Sequence, residues 1–234
     1  MDGSRERILG NLRRALNREG SGDIAAQTVN ERLAAHRPNT IPARAVTGDR
    51  DARIALFQTM AEEVAATVTR VPGLDQVPAA VADYLAQHNL PSELVVTPDR
   101  ELKPIPWHDR PTIRRREGVA NADDLVGLTG AFAGIAETGT LMLISGPESP
   151  TRNNFLPDNH IVVLPAELIV STYEAGWERL RSLTRLSEGR FTLPRTVNFI
   201  TGPSRTADIE LKIELGAHGP RRLHILIVDD TTRG

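Results

Sequence analysis

The chain has 234 residues, 40% of them hydrophobic and 25% charged, with a formal net charge of −2. That balance fits a globular protein with a real core and excludes a dominant role on nucleic acid or an anionic membrane. The absence of cysteine excludes a disulfide framework, a thiol nucleophile, a thiolate zinc site and an iron–sulfur cluster held by this chain.

Residues 4–19 read as an amphipathic helix carrying Ile8, Leu9, Leu12, Ala15 and Leu16, closed by Glu19-Gly20-Ser21-Gly22. Its acids set it apart from a signal peptide, and no run reaches the ~18 apolar residues of a membrane span. A cytoplasmic protein is the expectation. A second helix over 23–37 stops before Pro38, and 38–48 is aperiodic and reads as a linker. Residues 1–48 thus form an N-terminal helical arm and linker, and 49–234 an α/β domain.

A long helix is expected over 49–70, with Ile54, Phe57, Met60, Ala61, Val64 and Val68 on one face and Pro72-Gly73 ending it. Another spans Val77 to Gln87, with Val81, Tyr84 and Leu85 inward and Asn89 and Pro91 closing it. Leu94 to Thr97 reads as a strand, and Arg114-Arg115-Arg116 as a solvated loop. Strands are expected near 125–129, 140–145, 160–164, 196–200 and 223–228. A helix over Ser171–Ser187 turns Tyr173, Trp177 and Leu180 inward. The unalternating run His224 to Val228 suits a strand covered on both faces. Strands interleaved with helices predict a largely parallel sheet flanked by helices. Ligands of such sheets sit beyond the carboxyl ends of the strands, and the loop 201–210 is expected there.

No G-x-G-x-x-G follows a strand and no P-loop exists, so neither a Rossmann dehydrogenase nor a P-loop enzyme is supported. Gly127, Gly130 and Gly134 suit tight packing. Two corners carry chemistry. In Ala136-Glu137-Thr138-Gly139-Thr140, Glu137 can act as general base, nucleophile or ligand anchor; the plainer alternative is a carboxylate that accepts N–H bonds from 138–140 and fixes the turn. In Thr201-Gly202-Pro203-Ser204-Arg205-Thr206-Ala207-Asp208-Ile209-Glu210, a Gly turn offers N–H groups to an anion and Arg205 a planar fork for a carboxylate. The alternative is a turn that caps itself and pairs Arg205 with its own acids. His160, His218 and His224 lack metal-ligand spacing, so no metal site is expected. His224 is expected to bond a backbone carbonyl, and His218, before a strand, is the exposed functional candidate. Arg152 and Asn153 can face the same cleft.

Three pieces, Ala136 to Thr140 before a strand, Leu156-Pro157-Asp158-Asn159-His160-Ile161-Val162-Val163, and 201–210 with Leu215-Gly216-Ala217-His218-Gly219-Pro220-Arg221, resemble in order and spacing the lactate-utilisation protein C family, the LUD-domain proteins. The match covers roughly 50–230. The resemblance implies a variant of the sugar-phosphate isomerase/CoA-transferase-like fold. It implies a part in L-lactate oxidation to pyruvate beside iron–sulfur partner proteins, with no cofactor in this chain. Positions matching the family's motifs are Glu137, Thr138, Gly139, Gly202, Ser204, Arg205, Thr206, Asp208, Glu210, His218 and Gly219, with Thr140 completing the first corner. The leading expectation is a substrate-handling or accessory subunit. Arg205 clamps the α-carboxylate of lactate with Ser204 and Thr206 beside it, and Glu137 meets the α-hydroxyl. The rivals are a stand-alone CoA-transferase-like enzyme with Glu137 as nucleophile, and a non-catalytic assembly module whose N-terminal arm docks the cluster-bearing subunits. The leading view requires both corners to meet at one rim of the sheet.

Overall fold

A computed structural model describes residues 2–16, 22–38, 40–46, 48–184, 192–207, 213–216 and 218–230. The chain divides into two compact units, Met1–Thr40 and Ile41–Gly234. The first holds helices α1 (Asp2–Ala15) and α2 (Gly22–Ala35), and the α1 side chains Ile8 and Leu12, with Leu16 just past its end, are exposed.

The second unit begins with α3 (Arg50–Glu63), opened by Asp49, whose carboxylate accepts the Asp51 N–H. Strand β1 (Thr67–Gly73) follows. The helix expected over 49–70 is therefore too long by its last turns. Val64 closes it, Ala65 turns the chain with φ of 65°, and the β-branched residues Thr67, Val68, Thr69 and Val71 go into the sheet. Pro72-Gly73 ends a strand, not a helix. Then come α4 (Val77–Gln87), β2 (Glu93–Val96), β3 (Arg114–Glu117), β4 (Val126–Gly130), β5 (Ala133–Ile135) and β6 (Thr140–Ile144). The chain continues with β7 (Asn159–Pro165), β8 (Ile169–Val170), α5 (Tyr173–Thr184), β9 (Val197–Ile200), β10 (Arg205–Ala207), β11 (Ile213–Leu215) and β12 (Arg222–Asp230). No helix among the described residues is long and apolar enough to cross a membrane.

Six strands form one fully parallel sheet in the order β1-β12-β7-β4-β2-β3. This is the α/β architecture that the sequence predicts. In β12, Ile225 and Ile227 pack toward α3 with Phe57 and Leu164, while Leu226 and Val228 pack toward α4 with Val81 and Leu85. Both faces are apolar because both are covered. A second sheet, β8-β5-β6-β9, lies over the α3 side through Leu141 and Leu143, and α5 covers its outer face through Leu180. Trp177, expected inward, is exposed and stands beside Phe199, ring centroids 5.6 Å apart.

The arginine run, expected to be a loop, is the edge strand β3. Arg114 pairs with Glu93 at 3.1 Å, Arg116 with Asp124, and Arg115 lies over the Trp107 ring at 5.6 Å. Charge along an edge blocks pairing with another chain's strand.

Candidate functional site

The expected position of the 201–205 corner needs correction. Strand β9 belongs to the small sheet and runs antiparallel to β6, so its end is not a carboxyl end of the large sheet. The corner instead abuts Val64, just before β1, and Ser204 N–H donates to the carbonyl of Pro220, just before β12, at 2.9 Å. It therefore lies at the amino ends of the parallel strands.

The two corners meet there, on the last turn of α3. A Cβ on Gly139 would lie 2.1 Å from Ala61 N, and one on Gly202 2.3 Å from the Val64 carbonyl oxygen. Both glycines have positive φ, 63° and 76°, so only glycine fits each place without strain. Thr140 Oγ1 and Thr201 Oγ1 join the corners at 2.7 Å. Glu137 is buried, and its Oε1 accepts the N–H of Tyr173, the first residue of α5, at 3.0 Å. This bond, rather than one from the turn 138–140, is the one the structure gives it, and it sets a carboxylate at a helix N-terminus. Glu137→Ala is expected to lower stability by about 1 kcal/mol and Glu137→Gln by much less, because the amide keeps an acceptor oxygen. Thermal melts of the two variants check this, and identical melting temperatures would contradict it.

Arg205 is exposed and its Nη2 donates to the Val64 carbonyl at 2.8 Å, capping α3. Ser204 Oγ accepts the His218 N–H at 3.3 Å, and Ser204 O accepts the Gly216 N–H at 3.1 Å. His218 is exposed, and Gly219 sits 3.6 Å from Ser204 Cβ by its own would-be Cβ. Thr206 lies on β10; Asp208 and Glu210 fall outside the described residues. Arg221 and Arg222 stand at the same rim, beside Asp158 and Asn159.

The other expected positions are structural. Asn153 does not face a cleft: it is buried, taking the Ala120 N–H at 2.7 Å and donating to the Gly118 carbonyl at 2.8 Å. His224 bonds the Thr67 hydroxyl through Nδ1 at 2.8 Å, not a carbonyl, and stacks on Tyr84. His160 Nε2 meets Thr129 Oγ1 at 2.8 Å. Burial pushes the His160 imidazole down to about 3 and the His224 imidazole down to about 4, the latter also through His88. Among the described residues no group of three or more His, Asp or Glu could hold a metal ion.

Sequence reasoning missed a cleft of about 500 Å³ beyond the carboxyl ends of β2 and β4, lined by Asp99, Glu101, Gly130, Phe132, Ser145 and Glu148 among others. The chain leaves β2 for β3 on one side and β4 for β7 on the other, which makes this the switch point of the sheet. Only the strand order reveals it. Arg100 is paired with Glu148 at 2.9 Å, and burial, with Asp99 next, pushes the Glu101 carboxyl up. Three carboxylates, Asp99, Glu101 and Glu148, thus line the cleft against the guanidinium of Arg100, whereas the opposite rim gathers Arg205, Arg221 and Arg222 against Asp158.

These features define a layered α/β protein in which an added small sheet delivers polar corners to the amino rim of a parallel sheet. The chain belongs to the LUD domain family, whose model matches residues 54–228. It is 31% identical over 212 residues to a Lactate utilization protein C of Deinococcus radiodurans, covering 86% of this chain and 92% of that one. It is 36% identical over 124 residues to the Lactate utilization protein C of Shouchella clausii, covering 53% of this chain and 52% of that one. It is also 36% identical over 130 residues to an uncharacterized protein of Neisseria meningitidis serogroup B, covering 56% and 52%. The chain thus spans about half the length of several curated relatives it matches. A crystal structure of a DUF162 family protein from Deinococcus radiodurans shares the fold, with a TM-score of 0.57 and 23% identity over 78% of this chain and 99% of that one.

Proposed function

We propose that the chain serves lactate utilisation in the cytoplasm as the subunit that holds the organic acid, beside partner chains that carry iron–sulfur clusters. The names of its relatives support the pathway, and the lack of cysteine supports passing electrons to another chain. The observation that carries the site is the division of charge between the rims. A carboxylate is disfavoured by the Asp99, Glu101 and Glu148 cleft and favoured beside Arg205, Arg221 and Arg222. At that rim the Arg205 fork takes the carboxylate and the hydroxyls of the joined corners take the α-hydroxyl.

Calorimetric titration of the full chain with L-lactate tests this. Arg205→Ala is expected to weaken binding more than tenfold, which corresponds to about 1.4 kcal/mol. Unchanged affinity would remove the clamp.

A further inference from the structure

Where the corners meet, four hydroxyls form one cluster. Thr138 Oγ1 lies 2.7 Å from Thr140 Oγ1, and each of these lies 3.0 Å from Tyr173 Oη. Thr140 Oγ1 also lies 2.7 Å from Thr201 Oγ1. The four contacts need four protons, and the four hydroxyls have one each. The triangle of Thr138, Thr140 and Tyr173 closes only if all three donate within it, so Thr201 must donate to Thr140. No proton is left to point outward. Toward anything outside, the cluster presents lone pairs alone.

We infer that Tyr173 is the residue by which this site distinguishes a ligand hydroxyl from a ligand carbonyl, because its phenol closes a hydroxyl cluster that can only accept. The inference rests on the organic-acid site proposed above. A hydroxy acid donates its O–H to the cluster, whereas the corresponding keto acid brings further lone pairs against lone pairs. Tyr173 is well fixed for the task. It opens α5, its N–H is held by Glu137, and its ring meets Phe199 edge-on at 5.3 Å. The small sheet and α5 therefore set the position of the phenol independently of any ligand.

The proton count also predicts what substitutions do. Tyr173→Phe removes one proton and two contacts, leaving three protons for two contacts, so one hydroxyl turns outward as a donor and a carbonyl becomes acceptable. Thr201→Val removes one proton and one contact, so the triangle stays closed.

The experiment is calorimetric titration of the full chain with L-lactate and with pyruvate, on the unaltered protein and both variants, with thermal melts confirming folding. The unaltered protein is expected to bind L-lactate at least tenfold more tightly than pyruvate. Tyr173→Phe should bring that ratio toward one, and Thr201→Val should keep it whatever happens to the absolute affinities. A merely structural Tyr173 would weaken both ligands alike and leave the ratio in place, which would overturn the inference. Equal binding of the two acids by the unaltered protein would overturn it as well, while leaving the organic-acid site standing. Binding of neither acid by any of the three proteins would remove both.

Discussion

Gly139→Ala is expected to destabilise the protein by about 3 kcal/mol or more, the sum of a left-handed backbone penalty and an overpacking penalty. The new methyl carbon would sit 2.1 Å from Ala61 N and 2.5 Å from Met60 C, with φ at 63°. These are backbone atoms of α3, which cannot swing aside as a side-chain tip would. Relief would require either the corner or the helix end to withdraw, and that would part Thr140 from Thr201. Gly146→Ala is the control, since nothing lies within 4 Å of its added carbon; it should shift stability by about 0.5 kcal/mol at most. Urea denaturation of the two variants measures the difference. A Gly139→Ala protein within 1 kcal/mol of the unaltered one would show that α3 and the corner are not in the contact described.

The second large effect is acid sensitivity. His160 and His224 titrate near 6.5 in the unfolded chain but are pushed down to about 3 and about 4 in the fold. Below pH 6.5 the unfolded state therefore binds more protons, and stability falls with pH until the folded pKa values are reached. Each histidine should remove about 2 kcal/mol between pH 7 and pH 5 at most. Glu101, pushed up by burial, acts in the opposite sense, because its protonation relieves a buried charge. Urea midpoints at pH 7, 6 and 5 give the slope, and His224→Gln should roughly halve it. An unchanged slope in that variant would rule His224 out as a source.

Much of the architecture was legible in the sequence because periodicity and punctuation agree. Helix α4 runs over Val77–Gln87 as expected, its apolar spacing and its stop at Asn89 pointing the same way. The central strand β12 was legible because an unalternating run of aliphatics has few other uses. The overrun of α3 has a specific cause. Val64 and Val68 continue the helical spacing of Ile54 to Ala61, and only the β-branched density after Ala65 marks the change of state. The placement of 201–205 failed for a different reason. Val197 to Ile200 reads the same in a parallel or an antiparallel sheet, since a four-residue strand does not name its partner. The motif residues were visible as a pattern, but not what Gly139 and Gly202 press against. Helical spacing alone places Tyr173 in the core, and only the fold brings Thr138, Thr140 and Thr201 around its phenol.

The three arginines of β3 bear on how copies or partners of this chain assemble. Arg114, Arg115 and Arg116 set three cationic side chains along that border of the six-stranded sheet, which a foreign strand pairing there would have to accommodate. A second copy of the same strand would set arginine against arginine, which disfavours lengthening the sheet by self-pairing at that end.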